Sequence, residues 1–245
     1  MIQVTVMDWG VGGVPLLTRL RALRPDLTLR YRSDSGFRPW GMLSAAELQR
    51  RLEALIALEV SAGSHAVVVA CNAGSTALRG LERRAPLGVF GVIEPGIEAV
   101  LELGVRRVGV VGGRRTILSQ AWAGPLRRAG LQVQQRVAQP LSAAIERGEA
   151  RSLETAALVR RICAPFTHIE RLVLACTHYP AASEAFNRAL PGVPLVDPMQ
   201  PALTRVLAAL PEADAERAPA WTVVTSGSRA ATWAAAESAF GVKLR

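Results

Sequence analysis

Lysine, histidine, cysteine and aromatic side chains are all scarce in this chain. Lys243 is the only lysine among 245 residues, three histidines and three cysteines are present, and aromatic residues make up 5%. An odd number of cysteines without a secretion signal argues against a disulfide framework, and the cysteine and histidine spacing matches no zinc motif. We therefore expect reduced thiols and no metal ion.

Long apolar runs are absent as well. Apolar runs such as residues 66–70 and 172–175 are far shorter than the roughly 20 apolar residues of a membrane span. The N-terminus starts with a strand-like stretch, without the basic start and apolar core of a signal peptide. These absences predict a cytoplasmic protein with no membrane partner.

The net charge of +9 comes almost entirely from arginine. The arginines occur as scattered pairs, such as residues 50–51 and 160–161, rather than as one basic stretch. No segment interleaves basic residues with aromatic residues that could stack on bases. The pattern favours solvated helix faces over a nucleic-acid surface.

Short β-branched runs alternate with longer amphipathic stretches, which is typical of parallel, doubly wound α/β sheets. A hydrophobic content of 50% is enough for a substantial core. Strands are predicted at residues 3–7, 27–33, 66–70, 89–92, 107–111, 131–136, 171–175, 194–196 and 221–225. Helices are predicted at residues 15–23, 44–62, 96–103, 117–129, 152–164 and 181–189.

The chain also repeats itself. Residues 3–10 resemble residues 107–114 at an offset of 104, and residues 67–71 resemble residues 172–176 at an offset of 105. Two independent segments with nearly the same offset indicate two similar halves. The sequence therefore predicts two similar doubly wound parallel-sheet domains that face each other across a cleft.

The predicted strand at 221–225 would return the chain to the first half. The expected domains are thus residues 1–95 plus 206–245, which carry Asp8 and Cys71, and residues 96–205, which carry Glu146, Cys176 and His178.

A cysteine follows an apolar strand in each half, Cys71 in the first and Cys176 in the second. Ligands of open α/β sheets bind at the carboxyl ends of the strands, so both thiols are expected at the cleft. One such cysteine alone would be interpreted as a small buried residue. Two at repeat-related positions favour chemistry, whereas Cys163 ends an apolar helix face and is expected to be structural.

Two opposed thiols are what racemisation at a carbon centre needs. One thiolate removes the α-proton while the other thiol protonates the opposite face, with the sulfurs roughly 7 Å apart. Each thiol needs a neighbour that adjusts its pKa towards the working pH. His178, two residues after Cys176, and Asp8, at the end of the first strand, are the candidates.

Several segments resemble the aspartate/glutamate racemase family, and most closely its glutamate racemase branch. Residues 70–75 are similar to its Ala-Cys-Asn-Thr-Ala-Ser segment, residues 176–180 match its Cys-Thr-His-Tyr-Pro motif, and residues 8–13 resemble its Asp-Ser-Gly-Val-Gly-Gly start. The resemblance covers nearly the whole chain in order. It also includes residues 31–34, 39–41, 91–96, 145–148 and 225–227, with Trp233.

The resemblance implies a racemase without a cofactor, including pyridoxal phosphate, that makes D-glutamate for peptidoglycan and hence for cell-wall biogenesis and cell shape. Cys71 would act on the D-enantiomer and Cys176 on the L-enantiomer. Asp8, Glu146 and His178 would be auxiliary catalytic groups, and family members are often homodimers. The implied substrate-binding positions are Trp9, Pro39, Trp40, Gly41, Asn72, Ala73 and Thr177.

Four positions depart from the family pattern. Trp9 stands in place of serine, Ala73 and Gly113 in place of threonine, and Trp40 in place of tyrosine. Each lost hydrogen bond to a charged substrate would cost about 1.5–3 kcal/mol. The indole N–H of Trp9 either substitutes for the missing hydroxyl, or its ring selects a less polar substrate.

Two alternatives to glutamate racemisation therefore stay open. One is a racemase of the same superfamily that acts on aspartate or another amino acid. The other is a racemase-like protein that binds a partner, with weak or no catalysis. A dinucleotide-binding loop at residues 10–13 is disfavoured, because the Gly-x-Gly-x-x-Gly spacing fails.

Overall fold

The computed structural model describes residues 2–212 and 220–244, and their strands form two separate, wholly parallel sheets. This confirms the predicted α/β class with two doubly wound sheets. The strands are β1 (Gln3–Asp8), β2 (Thr28–Ser33), β3 (Ala66–Val69), β4 (Gly88–Gly91), β5 (Arg107–Gly112), β6 (Gln132–Val137), β7 (Arg171–Ala175), β8 (Leu195–Val196) and β9 (Ala220–Thr225).

The helices lie between the strands, as crossover connections of parallel sheets require. They are α1 (Val14–Leu23), α2 (Ala45–Ser61), α3 (Asn72–Ser75), α4 (Leu81–Arg84), α5 (Ile93–Glu102), α6 (Arg114–Leu118), α7 (Ala123–Arg128), α8 (Gln139–Glu146), α9 (Leu153–Cys163), α10 (Ser183–Ala189), α11 (Met199–Ala209) and α12 (Arg229–Phe240). Two 3₁₀ turns, Trp40–Met42 and Tyr179–Ala182, complete the list of regular elements.

The two sheets have the same internal order. The first is β4-β3-β1-β2-β9 and the second is β6-β5-β7-β8, so β5 to β8 occupy the places of β1 to β4. The register agrees too, because Val4 pairs with Ala66 in the first sheet and Val108 with Arg171 in the second. The repeat in the sequence is thus a repeat of strand order and register.

Strand β9 pairs in parallel with β2, so the end of the chain returns to the first sheet as predicted. The expected domain limits at 95/96 and 205/206 fall inside α5 and α11, two helices that pack on each other. One apolar core contains residues of both sheets, such as Val6 and Val110. The division of the chain into domains at those limits stays a prediction.

The central strands carry apolar residues on both faces because helices cover both sides of each sheet. All four residues of β3 are buried, and so are the last four of β7. A capping box begins α2: the Ser44 hydroxyl accepts from the N–H of Glu47, and the Glu47 carboxylate accepts from the N–H of Ser44.

One helix prediction is wrong and five helices were not predicted. Residues 117–129 form parts of two helices, α6 and α7, because the backbone of Gln120 has a φ of 56° and interrupts the turn. Helices α3, α4, α8, α11 and α12 were assigned to no element. No helix in residues 2–212 and 220–244 is long and apolar enough to cross a membrane.

Candidate functional site

The predicted catalytic residues meet where the carboxyl edges of the two sheets face each other. Asp8 ends β1, and the hydroxyl of Thr177, just after β7, donates to its Oδ2 at 3.0 Å. The backbone N–H of Val11 donates to Oε1 of Glu146, which ends α8, at 3.0 Å. Each contact joins a residue of the first half of the molecule to a residue of the second half, so both halves contribute to a single site.

A hydrogen-bonded chain extends from Cys176 through His178 to Glu146. Nε2 of His178 lies 2.5 Å from Oε1 of Glu146, and Nδ1 lies 3.8 Å from Sγ of Cys176. Because the carboxylate accepts from Nε2–H, Nδ1 faces the thiol: it accepts a proton when the imidazole is neutral and carries one when the ring is an imidazolium. His178 is 4% exposed, so this proton route is shielded from bulk water.

The pKa values of His178 and Glu146 are both shifted. Burial alone lowers the pKa of His178, but its hydrogen bonds to Cys176 and Glu146 outweigh burial and raise that pKa well above its usual value. Burial alone would raise the pKa of Glu146, yet the interaction with His178 and the N–H of Val11 hold it below its usual value. Opposite shifts are expected of an imidazolium–carboxylate pair.

Cys71 has a carboxylate for its neighbour instead of an imidazole. Burial raises the pKa of Cys71 well above its usual value, and the negative charge of Asp8 raises it further, while the backbone N–H of Gly74 opposes both. Burial also raises the pKa of Asp8, against the positive charge of His178 and hydrogen bonds from Cys71 and Thr177. The charge of Cys176 acts on the Cys71 thiol as well, so the two thiols are coupled electrostatically.

The glycines after β1 permit this close approach. A Cβ added at Gly10 would lie 1.8 Å from Oε1 of Glu146. A Cβ at Gly12 would lie 2.4 Å from the hydroxyl oxygen of Thr177 and 2.8 Å from Nδ1 of His178. The glycine-rich segment at residues 10–13 therefore allows the backbone to pack against the candidate catalytic side chains of the second half.

Asn72 presents a free donor beside Cys71. It begins α3 and is 2% exposed, and its Oδ1 accepts from the indole N–H of Trp122 at 3.0 Å. Its buried Nδ2 has no hydrogen-bond partner within the described part of the chain. A buried amide without a partner is costly, which suits a group that donates to a bound ligand. The Trp122 contact, which orients this amide, was not foreseen from the sequence.

Trp40 supports the site without exposing its polar atom to it. Its side chain is 1% exposed, and its indole N–H donates to Oδ2 of Asp34 at 2.9 Å. A Cβ at Gly74, in α3, would lie 3.0 Å from the Trp40 ring, so the ring packs against the helix that carries Asn72. Pro39 precedes the turn and accepts from the N–H of Met42 at 2.8 Å.

The indole N–H of Trp9 is already engaged within the protein. It donates to the carbonyl oxygen of Phe37 at 2.9 Å. Of the two possibilities left open for this side chain, substitution for a serine hydroxyl therefore has no support in the structure. Trp9 and Ala73 both pack against the cluster that contains Cys71, and Gly113 lies next to Gln139.

Cys163 ends α9 and lies in an apolar cluster against which Cys176 also packs. It is 1% exposed, and burial raises its pKa to about 11. This environment is typical of an inert, structural thiol. Among the described residues, no group of three or more histidine, cysteine, aspartate or glutamate side chains could hold a metal ion.

Comparison with known proteins identifies relatives of this chain. Residues 41–206 match the family model described as Asp/Glu/Hydantoin racemase. The chain is 32% identical to glutamate racemase of Aquifex aeolicus over 80% of this chain and 78% of that protein. It is 35% identical to glutamate racemase of Thermus thermophilus over 79% of this chain and 74% of that protein.

A solved structure extends the similarity to the whole fold. The crystal structure of Thermus thermophilus glutamate racemase in complex with beta-chloro-D-alanine superimposes with a TM-score of 0.88. The alignment covers 97% of this chain and 92% of that one at 29% identity. The similarity thus extends over both sheets.

Proposed function

The chain belongs to the Asp/Glu/Hydantoin racemase family, and from this premise we propose that it interconverts L- and D-glutamate with two cysteine acid/base groups and no cofactor. The observation that carries the proposal is the joint site, in which Cys176 with His178 and Cys71 with Asp8 meet at facing sheet edges. Each thiol has its own proton-accepting neighbour, as a reaction that runs in both directions requires.

In the L-to-D direction, the thiolate of Cys176 removes the α-proton of L-glutamate. His178 takes up and returns the proton of this thiol through Nδ1, while Glu146 holds Nε2. The Cys71 thiol then donates its proton to the opposite face of the α-carbon, and Asp8 lies beside the thiolate that results. The reverse reaction starts at the Cys71 thiolate and restores both groups.

The raised pKa of Cys71 suits this division of labour. A thiol with a high pKa is a proton donor in the L-to-D direction, and a strong base once it has lost that proton. Asp8 is well placed to take that proton when D-glutamate is the substrate, since burial raises the pKa of its carboxyl too. We propose Cys71, Cys176, Asp8, Glu146 and His178 as the catalytic set.

Substrate binding is assigned to donors at the same edges. Nδ2 of Asn72 is buried and free, which favours it as a carboxylate donor. The backbone at Gly41 and the segment from Cys176 to His178 border the site, whereas the Thr177 hydroxyl is committed to Asp8. We assign supporting roles to Pro39, Trp40, Trp9 and Ala73, which shape the walls of the site.

The same proposal extends to the biological setting. Racemisation of glutamate would supply D-glutamate to peptidoglycan in the cytoplasm, and we propose a homodimer. Aspartate or another amino acid is the second candidate substrate, because Trp9, Ala73 and Gly113 leave the site without three hydroxyl groups that the family pattern includes. A partner-binding protein without catalysis is the third possibility.

The test is racemisation by the purified protein without added cofactor. L-glutamate, D-glutamate, L-aspartate and a panel of non-acidic amino acids are each followed by the loss of optical activity. Racemisation of both glutamate enantiomers, with aspartate slower, supports the proposal. Preference for another amino acid would reject glutamate as the substrate, and inertness on the whole panel would favour the partner-binding alternative.

A further inference from the structure

Gln139 lies just after β6, at the carboxyl edge of the second sheet. It follows β6 by two residues, and the N–H of its neighbour Ala138 donates to the carbonyl oxygen of Gly112 at 2.8 Å. Gly112 pairs with Ala175 across β5 and β7, so Gln139 lies near the chain positions of Gly113 and Cys176.

The carboxamide of Gln139 occupies a space that two glycines leave open. A Cβ added at Gly113 would lie 3.0 Å from Oε1 of Gln139, and one added at Gly41 would lie 3.2 Å from the same atom. Gly41 belongs to the first half of the molecule and Gly113 to the second. The side chain of Gln139 therefore crosses between the two halves.

The hydrogen bonds of Gln139 fix which end of its amide is free. Oε1 accepts from the backbone N–H of Arg114 at 2.9 Å, a contact that only the carbonyl end can make. Nε2 has no hydrogen-bond partner among residues 2–212 and 220–244. The half-buried side chain thus holds an oriented donor without an acceptor.

The surroundings of this donor suit an anion. Gln139 and Gly41 line a cavity of about 560 Å³ together with Arg114 and Arg115, and no acidic side chain lines it. Nε of Arg115 is buried there without a partner, while another guanidinium nitrogen donates to the carbonyl oxygen of Leu43 at 3.0 Å. Donors of neutral and positive charge converge on one side of the cleft.

We propose that Gln139 binds a carboxylate of the substrate through Nε2 and so replaces the hydroxyl that is missing at Gly113. The inference rests on the proposed racemase function and deepens it, since it assigns a specificity residue to a site that has lost other donors. A Cβ at position 113 would lie 3.0 Å from Oε1 of Gln139, so a side chain there would displace the carboxamide from its present position.

Gln139→Glu is the most informative variant. Glutamate keeps an oxygen to accept from the N–H of Arg114 but puts a second carboxylate oxygen where Nε2 donated. Binding of L-glutamate, measured by calorimetry, should weaken about 10- to 100-fold, the loss expected for a hydrogen bond to a charged group. KM should rise by a similar factor and kcat should change less. Gln200→Glu, the same change at an exposed glutamine that accepts from Arg19, should leave both unchanged.

A rescue variant separates binding from folding. Gln139→Ala should weaken binding, and Gly113→Thr added to it should restore at least part of the affinity, because the hydroxyl then enters the vacated space. Gly113→Thr alone should not tighten binding, since its Cβ meets Oε1 of Gln139 at 3.0 Å. Melting temperatures of all variants show whether a loss reflects unfolding.

The outcomes also distinguish this inference from the function on which it rests. If the wild type binds glutamate without racemising it, the proposed reaction is overturned. The affinity of Gln139→Glu for glutamate then still tests the binding role of Gln139. Affinity for glutamate within about twofold of wild type in folded Gln139→Glu would overturn the inference even with full racemisation in the wild type. Absence of glutamate binding in the wild type would overturn both.

Discussion

Nε2 of His178 lies 2.5 Å from Oε1 of Glu146, which links the turn after Cys176 to the C-terminal end of α8. Because this contact fixes the proton-bearing nitrogen, it leaves Nδ1 facing the sulfur of Cys176 at 3.8 Å. Glu146 thus acts on the thiol through the imidazole, and its removal should change how the site responds to pH.

Glu146→Gln should lower the pKa of His178. In the wild type, burial lowers this pKa, and the interactions with Cys176 and Glu146 raise it by more. Loss of the Glu146 carboxylate removes one of the raising interactions, so burial then has the larger effect on the pKa. NMR titration can follow His178 directly, since the chain has only three histidines. The limb of the pH–rate profile assigned to His178 should move to lower pH in the variant, and an unchanged titration would contradict the arrangement.

The same pair predicts a pH window for stability. A raised His178 pKa contributes stability that is complete below about pH 6.5 and is lost as pH rises through the folded pKa. A lowered Glu146 pKa contributes stability that is present above about pH 4.5 and is lost as pH falls through its folded value. The difference in free energy of unfolding between wild type and Glu146→Gln, from urea titrations, should therefore be largest between these limits and shrink outside them. A difference independent of pH would contradict the pairing.

Gly12→Ala should disrupt catalysis because its Cβ would lie 2.4 Å from the hydroxyl oxygen of Thr177. Displacement of the loop that carries Gly12 by about 1 Å is enough to lower kcat/KM about 100-fold. Gly124→Ala is the matched control, as its Cβ meets only the flexible end of Arg128 at 3.3 Å. It should keep full activity and gain about 0.5–1 kcal/mol from higher helix propensity. Equal activities in the two variants would show that the loop tolerates a side chain.

Trp9→Phe tests whether the indole N–H serves the protein or the substrate. The N–H donates to the carbonyl oxygen of Phe37, so its loss should lower stability by about 0.5–1.5 kcal/mol, seen in thermal unfolding. KM for glutamate should change little, since an aromatic ring is kept at the wall of the site. A tenfold or greater rise in KM with unchanged stability would instead assign the N–H to the substrate.

Periodicity and internal repetition in the sequence were sufficient to predict the two halves, the positions of the cysteines and the returning strand. The offsets of 104 and 105 residues predicted two halves, and Val4 with Ala66 and Val108 with Arg171 are paired in the same register. The positions of both cysteines after buried strands follow from that repeat. The returning strand near the end of the chain was visible from its own β-branched residues.

Features that depend on tertiary contacts could not be predicted from the sequence. The helix predicted over 117–129 is broken at Gln120 by a positive φ, and no glycine marks that position. Gln139 lies 98 residues from Gly41 in the chain, and only the folded arrangement brings them together. The engagement of the Trp9 indole with Phe37 likewise depends on where the loop after β2 lies.

The central claim is that the two thiols act on opposite faces of one α-carbon, and exchange of the α-proton in D₂O tests it most directly. NMR would follow L- and D-glutamate with Cys71→Ala and Cys176→Ala, and with Cys163→Ala as the control whose thiol is structural.

Our account predicts that Cys176→Ala exchanges the α-proton of D-glutamate only and that Cys71→Ala exchanges that of L-glutamate only, with neither variant racemising. Cys163→Ala should exchange and racemise both enantiomers like the wild type. Racemisation by either single-thiol variant, or exchange of the same enantiomer by both, would contradict the two-thiol mechanism.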